Sequence, residues 1–235
     1  MSADKKNIVM ISASPKTGTE STSAFLADLQ ARIFREMGFS TLRLDVRGSM
    51  VRGSVESDYA AMLEADAIII TFPLYIYCLP GMLMRFLQDY TDFCREAGRK
   101  NSGTRVYAVA NCGFAEAWIN REAIGVVSSF SRSIDAMFRF GLLIGGGGML
   151  VGTCDAPFMR KTMGRISGTF IKMGEDIKNA CTDQAENILV EAGIPQRLYN
   201  FMGNKGWVIA AKSNNLKKKD LFRKPYQPGN SGESG

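Results

Sequence analysis

Three short stretches hold the residues whose types and spacing could do chemistry. The first runs Ser12-Ala13-Ser14-Pro15-Lys16-Thr17-Gly18-Thr19-Glu20-Ser21-Thr22-Ser23, with six hydroxyl residues and one lysine from Ser14 onward. It lies between an apolar run and an amphipathic one. A helix starting there points unpaired N–H groups and a partial positive charge at the loop. Hydroxyls add donors and Lys16 adds a full charge, which together make a seat for a phosphate. Capping the helix needs only one such residue. Neither a GxxxxGK loop nor a GxGxxG fingerprint is present, so a monophosphate in a hydroxyl-rich cup fits better than a pyrophosphate wrapped by glycines.

The second stretch is Pro73-Leu74-Tyr75-Ile76-Tyr77. Two tyrosines on a proline-stiffened loop offer apolar faces and backbone donors, which a flat ring with a polar edge requires. The third is Asn111-Cys112-Gly113-Phe114. Gly113 lets backbone approach a ligand closely, and Cys112 reads as a packing thiol.

The composition removes other chemistries. The chain has no histidine, which excludes Ser-His-Asp and Cys-His hydrolysis and HExxH zinc sites. Five scattered cysteines form no CxxC pair, so no zinc knuckle or iron–sulfur run is encoded and no metal is expected. They read as reduced, mostly buried thiols. Chemistry must then come from a cofactor, or from Lys, Tyr, Cys, Asp and Glu.

The elements that must position these stretches alternate in type. Residues 7–13, 40–46, 67–72, 104–110 and a glycine-broken 141–151 read as strands, and 20–37, 56–65, 80–94 and 117–138 as helices. Continuous apolar strands alternating with helices predict a parallel, doubly wound α/β sheet. Such sheets bind ligands at the carboxyl ends of the strands, where the strand order reverses. Residues 157–200 add two helical stretches, and beyond Phe201 the pattern suggests a turn at Gly203-Asn204 and a short helix through Trp207. The glycines from Gly145 to Gly148 suggest a bulge or a tight strand end, with the lining of a ligand as the alternative. The Phe- and Met-rich stretches at 130–140 and 158–173 suit core packing, a pocket cover or a dimer face.

Two blocks carry a family resemblance. The first loop resembles the Gly-Ser-Pro-Arg-x-x-Gly phosphate loop of the NADPH-dependent FMN reductase family, in the flavodoxin-like superfamily, through Ser14, Pro15, Lys16 and Gly18. Lys16 replaces the commoner arginine and Ala13 the usual glycine. The segment 66–89 resembles that family's second block at Asp66, Pro73, Tyr75, Leu79, Pro80, Leu83, Arg85, Leu87 and Asp89. The resemblance spans about residues 7–150. It implies a flavodoxin-like, five-stranded parallel sheet of order 2-1-3-4-5, over 1–150, with a helical extension at 151–225 packed on the same domain and a disordered tail at 226–235.

It further implies one FMN, held by Ser14, Lys16, Ser21, Thr22, Ser23, Pro73, Leu74, Tyr75, Ile76, Tyr77, Asn111, Cys112, Gly113 and Phe114, with no side chain acting as a catalytic acid or base. The activity it implies is an NAD(P)H-dependent oxidoreductase passing hydride to flavin N5 and on to a quinone, aromatic or flavin acceptor, in a homodimer. A flavodoxin-type electron carrier and a binding protein without catalysis are the alternatives.

No apolar run is long enough to span a bilayer, and the N-terminus lacks the apolar segment of a signal peptide. A cytoplasmic protein without membrane or nucleic-acid partners is the expectation. The net charge is +6, with Lys205, Lys212, Lys217, Lys218, Lys219, Arg223 and Lys224 concentrated near the end. That cluster reads either as a solvated terminus or as attraction to a polyanion or phosphorylated ligand.

Overall fold

A computed structural model describes residues 5–14, 21–53, 55–183 and 185–224. Lys16 and the tail at 226–235 lie outside them. The elements run β1 (Asn7–Ser12), α1 (Thr22–Glu36), β2 (Ser40–Asp45), α2 (Val46–Arg52), α3 (Val55–Leu63), β3 (Ala67–Pro73), α4 (Gly81–Glu96), β4 (Arg105–Asn111), α5 (Arg121–Ser133), β5 (Met137–Ile144), α6 (Gly147–Thr153), α7 (Arg160–Asn179), β6 (Ile188–Val190) and α8 (Gln196–Ser213). The chain divides into two compact units, Met1–Gly193 and Ile194–Gly235.

The first unit holds the sheet. Every pairing is parallel, in the order β2-β1-β3-β4-β5-β6. The expected order is present, but the sheet has six strands rather than five. β6 is three residues long, too short for a hydrophobic period to reveal it. The central strands are mostly apolar because both faces are covered. On one face Ile68, Ile70 and Phe72 pack with Leu83, Phe86 and Tyr90 of α4 and Val127 of α5. On the other, Ile8, Met10, Ile69 and Val109 pack with Leu26 and Phe34 of α1 and Phe170 and Met173 of α7. The 158–173 stretch therefore supplies core through Met159, Ile166 and Phe170.

Several boundaries differ from expectation. β5 starts at Met137, and residues 147–153 form α6 instead of continuing a strand. The helix expected over 117–138 ends at Ser133. The pattern hid β5 because Arg139 sits in it, buried. A register shift opposite Tyr107 inserts an extra residue in β5, which re-aims side chains. Arg139 and Phe140 then both face α7, where Arg139 meets Asp176. A helix at 46–52 was not expected. Asp45 caps it, accepting from the Gly48 amide at 3.1 Å, and Gly53 ends it in the left-handed region at φ 68°.

In the second unit α8 is one continuous helix through Gly203, Asn204 and Trp207, where a turn and a shorter helix were expected. Glycine lowers helix propensity by about 1 kcal/mol but keeps its N–H, so it does not break the hydrogen-bond ladder as proline does. A 3-10 turn at Lys218–Phe222 follows.

Candidate functional site

β1 pairs with β2 on one side and β3 on the other, so the crossovers leave β1 in opposite directions. A cleft opens at that reversal, above the carboxyl ends of the strands. Its volume is about 250 Å³. The lining comes from all three stretches: Ser14, Ser21, Thr22 and Ser23; Pro73, Leu74 and Tyr75; Asn111, Cys112 and Gly113. Gly148 and Val151 of α6 complete it. None of the lining residues is charged. Lys16 is outside the described residues. Ile76, Tyr77 and Phe114 do not line the cleft and stand at its edge.

The hydroxyls at the start of α1 are each fixed. Ser21 is the N-cap, its Oγ accepting from the Ala24 amide at 3.1 Å. Thr22 Oγ1 donates to the Gly147 carbonyl at 2.8 Å, joining α1 to α6. Ser23 Oγ accepts from Asn111 Nδ2 at 3.1 Å, and the same amide donates to the Phe72 carbonyl at 3.0 Å. Ser21 and Ser23 are buried. One residue therefore serves as the cap, as helix chemistry requires, and the other two tie the α1 end to the loops on the far side of the cleft. The amides of Thr22 and Ser23 lie in the first turn of α1, where a helix supplies its N–H groups no intrahelical partner.

The Tyr75–Cys78 segment is a two-residue hairpin. Tyr75 and Cys78 exchange N–H···O bonds at 2.9 and 3.0 Å. Its central residues, Ile76 and Tyr77, have φ of 48° and 60°, the signature of a type I′ turn. That turn ordinarily takes Asn-Gly or Gly-Gly. A β-branched residue there is strained by roughly 1–2 kcal/mol. Ile76 is 94% exposed, so it buries nothing that would offset the strain locally. Strain of this kind concentrates at ligand-clamping sites. The ring of Tyr77 stacks on Phe114 at 6.1 Å and 18°, bringing the second and third loops together at the rim.

The third loop is lashed to the end of β5. Gly146 and Gly147 donate to the carbonyls of Phe114 and Cys112 at 2.6 and 2.7 Å. Gly145 packs so tightly that a Cβ there would lie 2.1 Å from the Ala115 carbonyl oxygen. Gly146 takes φ 71°. The glycine run is thus a tight strand end that carries the loop, and Gly148 reaches the cleft. Asn120 Nδ2 donates to Cys112 Sγ at 3.3 Å and to the Ile144 carbonyl at 3.2 Å. Burial raises the Cys112 thiol's pKa, so it stays a neutral thiol rather than a nucleophile. Cys94 is also buried, while Cys78, Cys154 and Cys181 are half-buried; all five are free. Among the described residues no cluster of three His, Cys, Asp or Glu side chains could hold a metal ion.

Sequence reasoning missed Val151 and Asn120, and for Gly148 it favoured a strand end over the lining of a ligand. Val151 follows from α6, whose glycine-rich start looked like strand. Asn120 had no local signal, because its role depends on contacts with β4 and β5.

No protein-family model matches the sequence, and no curated protein sequence matches it either. Solved structures do match. An NADH:FMN oxidoreductase in its apo form superposes with TM-score 0.57 at 16% identity, over 77% of this chain and 92% of the other. A flavone reductase gives 0.55 at 11% identity, over 82% and 69%. The flavodoxin of Streptococcus pneumoniae TIGR4 gives 0.51 at 16% identity, over 74% and 99%. At these identities the likeness concerns the fold, and the resemblance drawn from the two sequence blocks agrees with it at that level: the sheet unit is a flavodoxin-like, doubly wound α/β fold.

Proposed function

We propose that the cleft holds one FMN and that the protein is an NAD(P)H-dependent FMN oxidoreductase. The observation that carries the reading is the convergence at the strand-order reversal. The α1 N-terminus with its hydroxyls stands at one end of the cleft, and a strained hairpin with stacked aromatics stands at the other. That donor set matches a phosphomonoester joined to a flat ring with a polar edge. The described lining is uncharged, so Lys16 would supply the phosphate's counter-charge.

In this reading Ser14, Lys16 and the first-turn amides of α1 hold the phosphate, while Ser21, Thr22 and Ser23 fix the α1 end that presents them. Leu74, Tyr75 and the Ile76 and Tyr77 amides face the ring from one side, and Asn111, Cys112 and Gly113 from the other. The Tyr77–Phe114 stack narrows the rim and keeps water from the ring's edge. Bound FMN would supply two-electron chemistry between a nicotinamide and a quinone, aromatic or flavin acceptor. No side-chain acid or base is needed at the hydride step, consistent with a chain that has no histidine. A homodimer would suit the apolar rim formed by Tyr75, Ile76 and Tyr77.

The test is anaerobic. NADH or NADPH is added to FMN-loaded protein while the flavin's visible absorbance is followed, and a quinone is then supplied. Bleaching by a nicotinamide and recovery with the quinone are expected. Bound FMN that no nicotinamide reduces would point instead to an electron carrier.

A further inference from the structure

The excess positive charge is not spread over the molecule. Eight of the 29 basic residues but only two of the 23 acidic ones lie from Ile194 onward, so the second unit carries the entire +6 and the sheet unit is balanced. Of those two acids, Asp220 is spent inside the unit. It pairs with Arg223 at 3.0 Å and accepts from the Lys217 amide at 2.7 Å.

The same unit displays apolar side chains to solvent. Only Ala211 of α8 is buried, while Trp207, Ile209 and Phe222 are 68%, 65% and 74% exposed. α8 and the 3-10 turn frame an apolar groove of about 1010 Å³ between Phe201, Trp207, Val208, Ile209, Leu221 and Phe222. Lysines interleave with these groups rather than facing away. Lys205 and Lys212 share the helix side of Phe201 and Ile209, and the Lys205 ammonium lies 4.7 Å from the Phe201 ring centroid.

We infer that this unit docks on an anionic lipid surface, with Trp207, Ile209 and Phe222 entering the headgroup layer and the lysines meeting the lipid phosphates. A large exposed apolar patch marks an interaction surface. A polyanion alone gives no reason to expose isoleucine, leucine and methionine. A second copy of this chain offers a sheet unit with no net negative charge. A lipid surface answers both features. Aromatic and aliphatic groups insert at the boundary, and lysine stems lie along it with their charges in the headgroups. Each cation near an anionic leaflet adds to the attraction. This is a surface contact and not a span: among the described residues no helix is long and apolar enough to cross a membrane. It departs from the expectation of no membrane partner, which rested on the lack of a spanning segment. It does not depend on the flavin.

The test uses the full chain and sedimentation with phosphatidylcholine vesicles, with and without phosphatidylglycerol. Binding is expected only to the anionic vesicles and at least about tenfold weaker at high salt, where surface charges are screened. Lys217→Glu, Lys218→Glu and Lys219→Glu combined, or Trp207→Ser with Phe222→Ser, should each weaken it by about tenfold or more, leaving FMN affinity unchanged. A Trp118→Phe chain leaves Trp207 as the sole tryptophan, and its emission should shift to the blue when anionic vesicles are added. Absence of binding, equal and salt-insensitive binding to neutral vesicles, a Trp207 shift produced by duplex DNA but not by vesicles, or self-association that buries Trp207 without lipid would each overturn the inference.

Discussion

Two polar regions of the sheet unit use similar groups in opposite ways. Between β4, β5 and α7, Asp176 accepts from Tyr107 at 2.5 Å and from Arg139 at 2.8 and 2.9 Å, with Arg105 at 3.5 Å. The arginines' remaining protons reach the carbonyls of Cys181 and Asp183 at 2.7 and 2.9 Å. Every strong group there meets a partner from another element, and the cluster is closed. In the cleft the hydroxyls of α1 are pinned from behind at a helix N-terminus, and strain is held in an exposed turn. The difference separates polar groups that lock a helix to a sheet from polar groups that are held in place for a ligand.

The largest expected effect tests the closed cluster. Asp176→Ala leaves two buried guanidinium groups uncompensated and should cost about 3–5 kcal/mol in denaturant unfolding, while the protein that remains folded still binds one FMN. A variant as stable as the parent would mean that the cluster does not hold α7. Next comes Gly145→Ala. A Cβ 2.1 Å from the Ala115 carbonyl forces the 112–117 loop to move, costing about 1–3 kcal/mol. FMN titration should show affinity falling by at least about tenfold. Unchanged affinity would detach that loop from the site.

Acid unfolding sharpens the contrast further. Burial alone raises the Asp176 pKa, but hydrogen bonds from Arg139 and Tyr107 and the charges of Arg139 and Arg105 outweigh it and the pKa lies below its ordinary value. A depressed carboxyl contributes stability that is present above its unfolded pKa, near 4, and is lost as pH falls through the folded value. Stability measured from pH 6 downward should drop below about pH 4, and Asp176→Asn should flatten that drop. The smallest effect lies in the turn. Ile76→Asn, which tolerates the left-handed region, should raise stability by up to about 1 kcal/mol in a thermal melt. No gain would show that the turn stores no strain.

The same contrast explains what the sequence disclosed. The cleft was legible because its three loops follow strands, and each carries a local signature: a hydroxyl run, a proline with tyrosines, and an Asn-Cys-Gly-Phe step. The core strands were legible as β-branched runs. The closed cluster was not, since Arg139 reads as a strand breaker until Asp176, 37 residues away, is brought beside it. β6 was too short to show a period. The turn strain at Ile76 was invisible for a related reason, because its residues are not the ones such a turn prefers. α8 was under-read because its two glycines look like breaks. The charge excess near the end was visible, but its coincidence with exposed Trp207, Ile209 and Phe222 needed the folded helix.

The most direct measurement is titration of the metal-free, flavin-free protein with FMN, following quenching of the flavin's fluorescence, with riboflavin alongside. Saturation at one FMN per chain is expected, with riboflavin at least about tenfold weaker because a charge-assisted phosphate contact contributes roughly 1.5–3 kcal/mol. Lys16→Ala and Ser14→Ala should each move FMN toward the riboflavin value. Folded protein that binds neither flavin, or binds both equally, would contradict the assignment of the cleft to FMN.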